Sequence, residues 1–237
     1  MAKAASTRTA RTSPATRREA ALRREVCEVM RHLYDRGHGA PGDGNVSVRL
    51  SPTHLLCTPT MVHKGRLVPS QIVKLRASDG VPVSAKQHAS SEVRLHLALY
   101  AAHPAVGAVV HAHSPYTVAL SVAGISLDQP VVPEAVLAFG GGCPLVPYAM
   151  PTTVDVPAGV LEHAKDSLAF VLERHGPVAL GSDLADALAR LEVIEHTSKI
   201  TLLALSVGTA RALPAGEVIR LRALLTVPEL LAQRPTR

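Results

Sequence analysis

The sequence predicts an α/β fold, in which helices pack on one sheet of mixed or antiparallel strands. Two observations predict it. Short stretches of strand character mix with longer stretches of helical periodicity along the chain, without a strict strand–helix–strand rhythm. The 237 residues are 47% apolar but only 3% aromatic, with no Trp, so the chain can bury a full core and that core has to be aliphatic.

Residues 18–37 read as a helix, with Val26, Met30 and Leu33 at helical spacing, and "DRGHGAPGDG" breaks the pattern. "NVSVRL" (45–50) alternates like a strand and "HLLCTP" (54–59) follows as another. "LVPSQIVKLRASDG" holds a short helical turn, a strand and a turn. Residues 90–104 read as a helix with serines at its start and Pro104 past its end. Then come the strand 105–114, the helix "PYTVALSVAG" and the strand "GCPLVPYA". Residues 156–172 read as a helix running into the strand "LAFVLERHG", and "PVALGS" as a strand. Asp183–Val207 is a long helix with Asp183 near its cap, and "LPAGEVIRLRALLTVPELLAQ" a final helical piece.

The net charge of +6 lies largely at the chain ends. Residues 1–18 carry Lys3, Arg8, Arg11, Arg17 and Arg18 and no acid, which reads as a disordered, solvated basic tail ahead of one domain spanning 19–237. The same composition is that of a transit peptide. No basic run interleaves with aromatic residues, so nucleic acid is not an expected partner. No apolar run reaches the length of a membrane span, and the first residues hold no signal-peptide core, so no membrane partner is expected. Cys27, Cys57 and Cys143 form no CxxC, which argues against a disulfide scaffold or a Cys-based zinc site and for a cytoplasmic setting.

"AVVHAHSP" (108–115) carries the first chemical signal. In a strand, residues two apart point to one face, so His111 and His113 project side by side and two such imidazoles can bind one Zn²⁺. Taken alone, the pair reads as well or better as two satisfied core histidines. His175, before a Gly-Pro break at a strand end, offers a third imidazole and the open coordination of a catalytic metal. Ser90 and Ser91 begin a helix whose free N–H groups attract an anion, or are a plain serine cap. Glu92 is then a first-turn acid complementing the helix dipole. "GDGNVS" (42–47) and "CTPT" (57–60) are turns able to meet a phosphate, and each is weak by itself.

The order of the pieces is more specific. G-x-G-N-x-S-x-R, T-P-T, S-S-E, H-x-H-S, a Gly-Gly stretch and R-H-G-x-x-x-x-G follow one another over residues 20–207. That order resembles the class II aldolase/adducin family, and within it the L-fuculose-phosphate-aldolase-like branch. The resemblance implies a single-domain α/β/α sandwich with a mixed, largely antiparallel central sheet. It implies a Zn²⁺ (Mn²⁺ or Co²⁺ being alternatives) held by His111, His113, His175 and Glu92. It implies a phosphate pocket from Gly44, Asn45, Thr60, Met61, Ser90 and Ser91, where Met61 replaces the family's glycine. It also implies a homotetramer with sites at subunit interfaces.

The implied activity is zinc-dependent cleavage of a ketose 1-phosphate of the fuculose, ribulose or 5-deoxypentulose type, giving dihydroxyacetone phosphate and an aldehyde. Glu92 is expected to move the proton at C3. "VVPEAVLAFGGG" carries Glu134 where the aldolases have an acid-base tyrosine; it is similar to the acid-base glutamate of methylthioribulose-phosphate dehydratases and is expected to be catalytic. The alternatives are a same-fold lyase, either such a dehydratase or an oxo-acid phosphate decarboxylase, and a non-catalytic adducin-like binding module.

Overall fold

The computed structural model describes residues 13–84, 88–164 and 166–224. Its strands are β1 (Asn45–Ser51), β2 (His54–Cys57), β3 (Val73–Arg76), β4 (Ala108–His111), β5 (Leu145–Val146), β6 (Ala169–Leu172) and β7 (Gly176–Gly181). Its helices are α1 (Pro14–Asp35), α2 (Val93–Ala102), α3 (Pro115–Val122), α4 (Pro133–Phe139), α5 (Asp155–His163), α6 (Leu184–Val207) and α7 (Ala215–Leu224). The strands form one sheet in the order β3-β2-β1-β4-β7-β6-β5. Every pairing is antiparallel except β5 with β6, so the sheet is mixed and largely antiparallel, as expected.

Strand alternation divides the core in two. Ala108, Val110 and Ala112 with Ala179 face a cluster that includes Val26 and Met30 of α1, Leu120 of α3 and Leu191 of α6. Val109, Val178 and Leu180 face the other side, against Leu95 and Leu99 of α2 and Val156 and Val160 of α5. Each such Val or Leu fully removed from water contributes roughly 1.5–3 kcal/mol, and Phe170 is the only fully buried Phe or Tyr among the described residues.

The helix ends follow local chemistry. Ser13 caps α1 by accepting from Thr16 N, with Pro14 at the first helical position. Asp183 caps α6 by accepting from Asp186 N. The first helix therefore begins at Pro14, inside the stretch expected to be tail, while residues 1–12 lie outside the described residues. The helix expected from 90 begins at Val93. The strand expected over 105–114 ends at His111. In 156–172 the helix stops at His163. The stretch around Glu134, read only as a carrier of that residue, is helix α4, with Pro133 at its start and Gly140 in the left-handed conformation (φ +83) at its end. The last helix is described to Leu224, and the rest of its expected span lies outside the described residues.

Candidate metal centre

Four side chains converge where β4, the β6–β7 turn and the start of α2 meet. His111 is paired across the sheet with Asn45 of β1 and Val178 of β7. It shares its side of the strand with Val109, so it points toward α2 and is wholly buried. Its Nδ1–H donates to the Pro177 carbonyl at 2.9 Å, which leaves Nε2 unprotonated and facing inward. His113, two residues on and just past the strand end, has Nδ1 at 3.5 Å from Asp43 Oδ2. His175 sits in the β6–β7 turn, between Arg174 (φ +59) and Gly176 (φ +144). The three ring centroids lie 5.1, 4.7 and 4.6 Å apart.

Glu92 completes the set from the N-cap position of α2. Its Oε2 accepts from Asn45 Nδ2 at 2.6 Å and lies 3.6 Å from His111 Nε2, while its Oε1 lies 3.4 Å from His175 Nε2. One donor atom from each of the four residues falls within 4.8 Å of all the others. A tetrahedral cation with bonds of about 2.0–2.1 Å has edges of roughly 3.3–3.4 Å, so little movement is needed to close these four around an ion.

The chemistry of the donors fits a cation. Among the described residues, His111 Nε2, His113 Nε2 and Glu92 Oε1 are buried and have no hydrogen-bond partner. A buried polar atom left unpaired costs about 1–3 kcal/mol, so three at one point call for a shared partner. Burial, aided by the neighbouring imidazoles of His175 and His113, holds His111 far below the usual histidine range. Burial and then His175 lower His113, against the pull of Asp43 and Glu92. Neutral imidazoles are the ligand form, and three of them with one carboxylate suit a borderline ion such as Zn²⁺.

The expected phosphate residues flank this cluster. Gly44 is buried at φ +71, directly before β1, where an added Cβ would stand 2.7 Å from the His111 carbonyl oxygen. The β2 end and the α2 start are tied together, with Ser90 N donating to Thr58 O (2.9 Å) and Thr60 N to His88 O (3.1 Å). Met61 keeps the left-handed conformation (φ +54) expected of a glycine and is 96% exposed. Ser90 is buried and its Oγ accepts from Glu92 N, while Ser91 is exposed. Asn45, by contrast, has both ends of its amide engaged, with Glu92 and with His96. Glu134 stands exposed in the first turn of α4 and is not among the converging groups.

Several supporting residues went unread in the sequence: Asp43 beside His113, and the buried His38, whose Nδ1 is 2.8 Å from Ser114 Oγ. Lys64 is buried beneath the Thr58–Thr60 loop, its ammonium donating to the Pro59 carbonyl, and burial lowers its pKa.

Residues 24–202 match the family described as Class II Aldolase and Adducin N-terminal domain. A 3-oxo-tetronate 4-phosphate decarboxylase of Escherichia coli K12 is 37% identical over 208 residues, covering 86% of this chain and 96% of that protein. An L-fuculose phosphate aldolase of Methanococcus maripaludis is 30% identical over 179 residues, covering 76% of this chain and 95% of the other. The crystal structure of Escherichia coli YgbL, placed there between aldolase, epimerase and decarboxylase, superposes with a TM-score of 0.79 at 36% identity. It covers 86% of this chain and 99% of its own.

Proposed function

The chain belongs to the class II aldolase and adducin family, and from that premise we propose that it is a metal-dependent decarboxylase of a 3-oxo-tetronate 4-phosphate. The observation that carries this choice is the 37% identity with such a decarboxylase across 96% of that protein, against 30% with the aldolase. The ketose 1-phosphate aldolase expected from the motif order gives way to its alternative, because the order of motifs does not separate the two chemistries.

The chemistry explains why. In a 3-oxo-tetronate 4-phosphate the carboxylate stands next to the carbon that neighbours the ketone. Breaking that bond releases CO₂ and leaves the electron pair on C2, delocalised onto the 3-oxo oxygen as an enediolate. A proton delivered to C2 then gives dihydroxyacetone phosphate. Retro-aldol cleavage of a ketose 1-phosphate passes through the same enediolate, so one charge-stabilising site serves both reactions. They differ in the departing piece: the hydroxyl that becomes the aldehyde must give up its proton to a base, whereas a carboxylate leaves as CO₂ with no proton to lose. An exposed Glu134 outside the cluster, and a C-terminal third without tyrosine, agree with a leaving group that has no proton to give up.

In this reading His111, His113, His175 and Glu92 hold a divalent ion, Zn²⁺ by donor type, with Mn²⁺ or Co²⁺ as alternatives. When bound, that ion supplies a Lewis acid for the charge on the 3-oxo oxygen. Glu92 carries the proton to C2 through Oε1, the oxygen with no other partner. The backbone around Gly44, Thr60 and Met61, with Ser90, Ser91 and the start of α2, anchors the phosphate and so orients the bond that breaks. We place the chain in a homotetramer. We place it in the cytoplasm, in keeping with three buried free cysteines. Among the described residues no helix is long and apolar enough to cross a membrane.

The test is to supply the zinc-loaded protein with 3-oxo-tetronate 4-phosphate and measure CO₂ and dihydroxyacetone phosphate, with and without a chelator. Equal amounts of both products, lost on chelation, support the reading. No CO₂ from metal-loaded protein that releases an aldehyde from L-fuculose 1-phosphate would overturn it.

A further inference from the structure

Two buried titratable groups, His96 and Tyr100, take no part in the chemistry above, yet both connect to it. Glu92, His96 and Tyr100 are spaced by four along the start and body of α2 and so share one face of the helix. Asn45 and Ser47 are spaced by two on β1 and share one face of the strand. The two faces meet in an unbroken chain. Tyr100 OH lies 2.9 Å from Ser47 Oγ, and Ser47 Oγ 2.7 Å from His96 Nδ1. His96 Nε2 lies 2.5 Å from Asn45 Oδ1, and Asn45 Nδ2 2.6 Å from Glu92 Oε2.

The chain has a direction. The Glu92 carboxylate can only accept, so the Asn45 group facing it is the NH₂ and the group facing His96 is the carbonyl. His96 therefore donates from Nε2. Burial pushes its pKa down to about 3, so it holds one ring proton and Nδ1 accepts from Ser47. Ser47, having given its proton to His96, accepts from Tyr100. Each group is buried and each has its partner.

We propose that Tyr100, Ser47, His96 and Asn45 are positioning residues, a one-way hydrogen-bond chain that fixes Glu92 Oε2 to the protein and dedicates Oε1 to the site. The inference rests on the role given to Glu92 above, and it changes the role expected of Asn45. That residue acts first on the carboxylate and not on the substrate phosphate.

The experiment titrates the purified full chain with Co²⁺ alone and follows its visible absorption, so the readout is independent of substrate. His96→Leu and Asn45→Ala are each expected to weaken Co²⁺ binding by about 10- to 100-fold, the usual cost of losing a group that orients a ligand. His96→Gln, which keeps a donor near Asn45 Oδ1, is expected to recover most of that loss. Because the residues act in series, the double variant His96→Leu/Asn45→Ala should bind no more weakly than the worse single variant. Should His96→Leu fail to fold, Tyr100→Phe keeps the ring packing, removes only the terminal hydroxyl and is expected to weaken binding in the same direction. In turnover, Asn45→Ala should lower kcat with little change in KM. Wild-type Co²⁺ affinity in folded His96→Leu or Tyr100→Phe, losses that multiply in the double variant, or an Asn45→Ala defect confined to KM would overturn the proposal. A wild-type chain that binds Co²⁺ as described but decarboxylates nothing would sink the activity alone. A wild-type chain that binds no Co²⁺ would sink both.

Discussion

Gly44 is the point where the backbone geometry of the site can be perturbed by a single methyl group. Two separate costs follow from Gly44→Ala. Its φ of +71 is the left-handed region, which costs an L-residue roughly 1–2 kcal/mol. The new Cβ would also stand 2.7 Å from the His111 carbonyl oxygen and 3.3 Å from Ala112 Cα. Both are backbone atoms at the end of β4, between the two histidines, and they cannot swing aside. Restoring an ordinary contact requires the two backbones to part by about 0.7 Å, and such a displacement adds on the order of 1 kcal/mol. The sum, about 2–3 kcal/mol, corresponds to a fall in Tm of roughly 4–12 °C for a domain of this size. The displacement falls between Asn45 and His111, so Co²⁺ affinity should drop by about tenfold or more along with stability. Gly42→Ala is the control, since it lies two residues earlier, has an ordinary φ and has nothing within 4 Å of its added Cβ. Calorimetry and Co²⁺ titration of the two variants read both effects. A Gly44→Ala protein that melts within 1 °C of Gly42→Ala and binds Co²⁺ equally well would refute the reasoning.

Other outcomes follow from the same geometry. Met61→Gly removes a strained left-handed side chain that is almost fully exposed, and is expected to raise Tm by about 2–4 °C, read by thermal melts. Burial depresses His96 to about 3 and lowers His38, so the folded chain keeps both neutral while the unfolded chain protonates them near 6.5. Stability is therefore whole above pH 6.5 and falls as pH drops from 6.5 toward 3, by on the order of 1.4 kcal/mol per pH unit for His96; denaturant melts of the metal-free chain should show a shallower slope in His96→Gln. Zn²⁺ at 100 times its Kd is expected to stabilise the fold by about 2.7 kcal/mol, and His113→Gln should lose most of that gain in the same melt.

Much of the site was legible because its spacing is local. His111 and His113 follow the two-residue period of a strand, and their rings lie side by side although the strand itself stops at His111. The backbone simply continues on the same course, with Ala112 N still donating to Pro177 O. His175 was legible from the Gly-Pro break after it, and the left-handed Arg174 and Gly176 show how tightly that turn is bent. Helix α4 escaped notice because seven residues give too little periodicity, although Pro133 and Gly140 bracket it as a helix start and stop. The hydrogen bonds of Asn45 were not legible for a different reason. Its bonds to Glu92 and His96 span 47 and 51 positions, and nothing in the chain order announces them. The spacings 92, 96, 100 and 45, 47 were there to be read, but only the meeting of α2 with β1 gives them a meaning. Helix α1 starts at Pro14, ahead of the expected 18, because Ser13 and Pro14 supply a cap and a first helical residue before the buried face begins at Val26.

The central claim is that this site expels CO₂ where its aldolase relatives expel an aldehyde. The most direct measurement is the ratio of kcat/KM for zinc-loaded protein on 3-oxo-tetronate 4-phosphate to that on L-fuculose 1-phosphate, with dihydroxyacetone phosphate as the common product. A ratio of about 10² or more is expected, since Glu92 already serves C2 and no other group in the cluster is free to take the proton of the hydroxyl that becomes the aldehyde, and such general base catalysis contributes about that much. A ratio below one, with the metal bound, would contradict it.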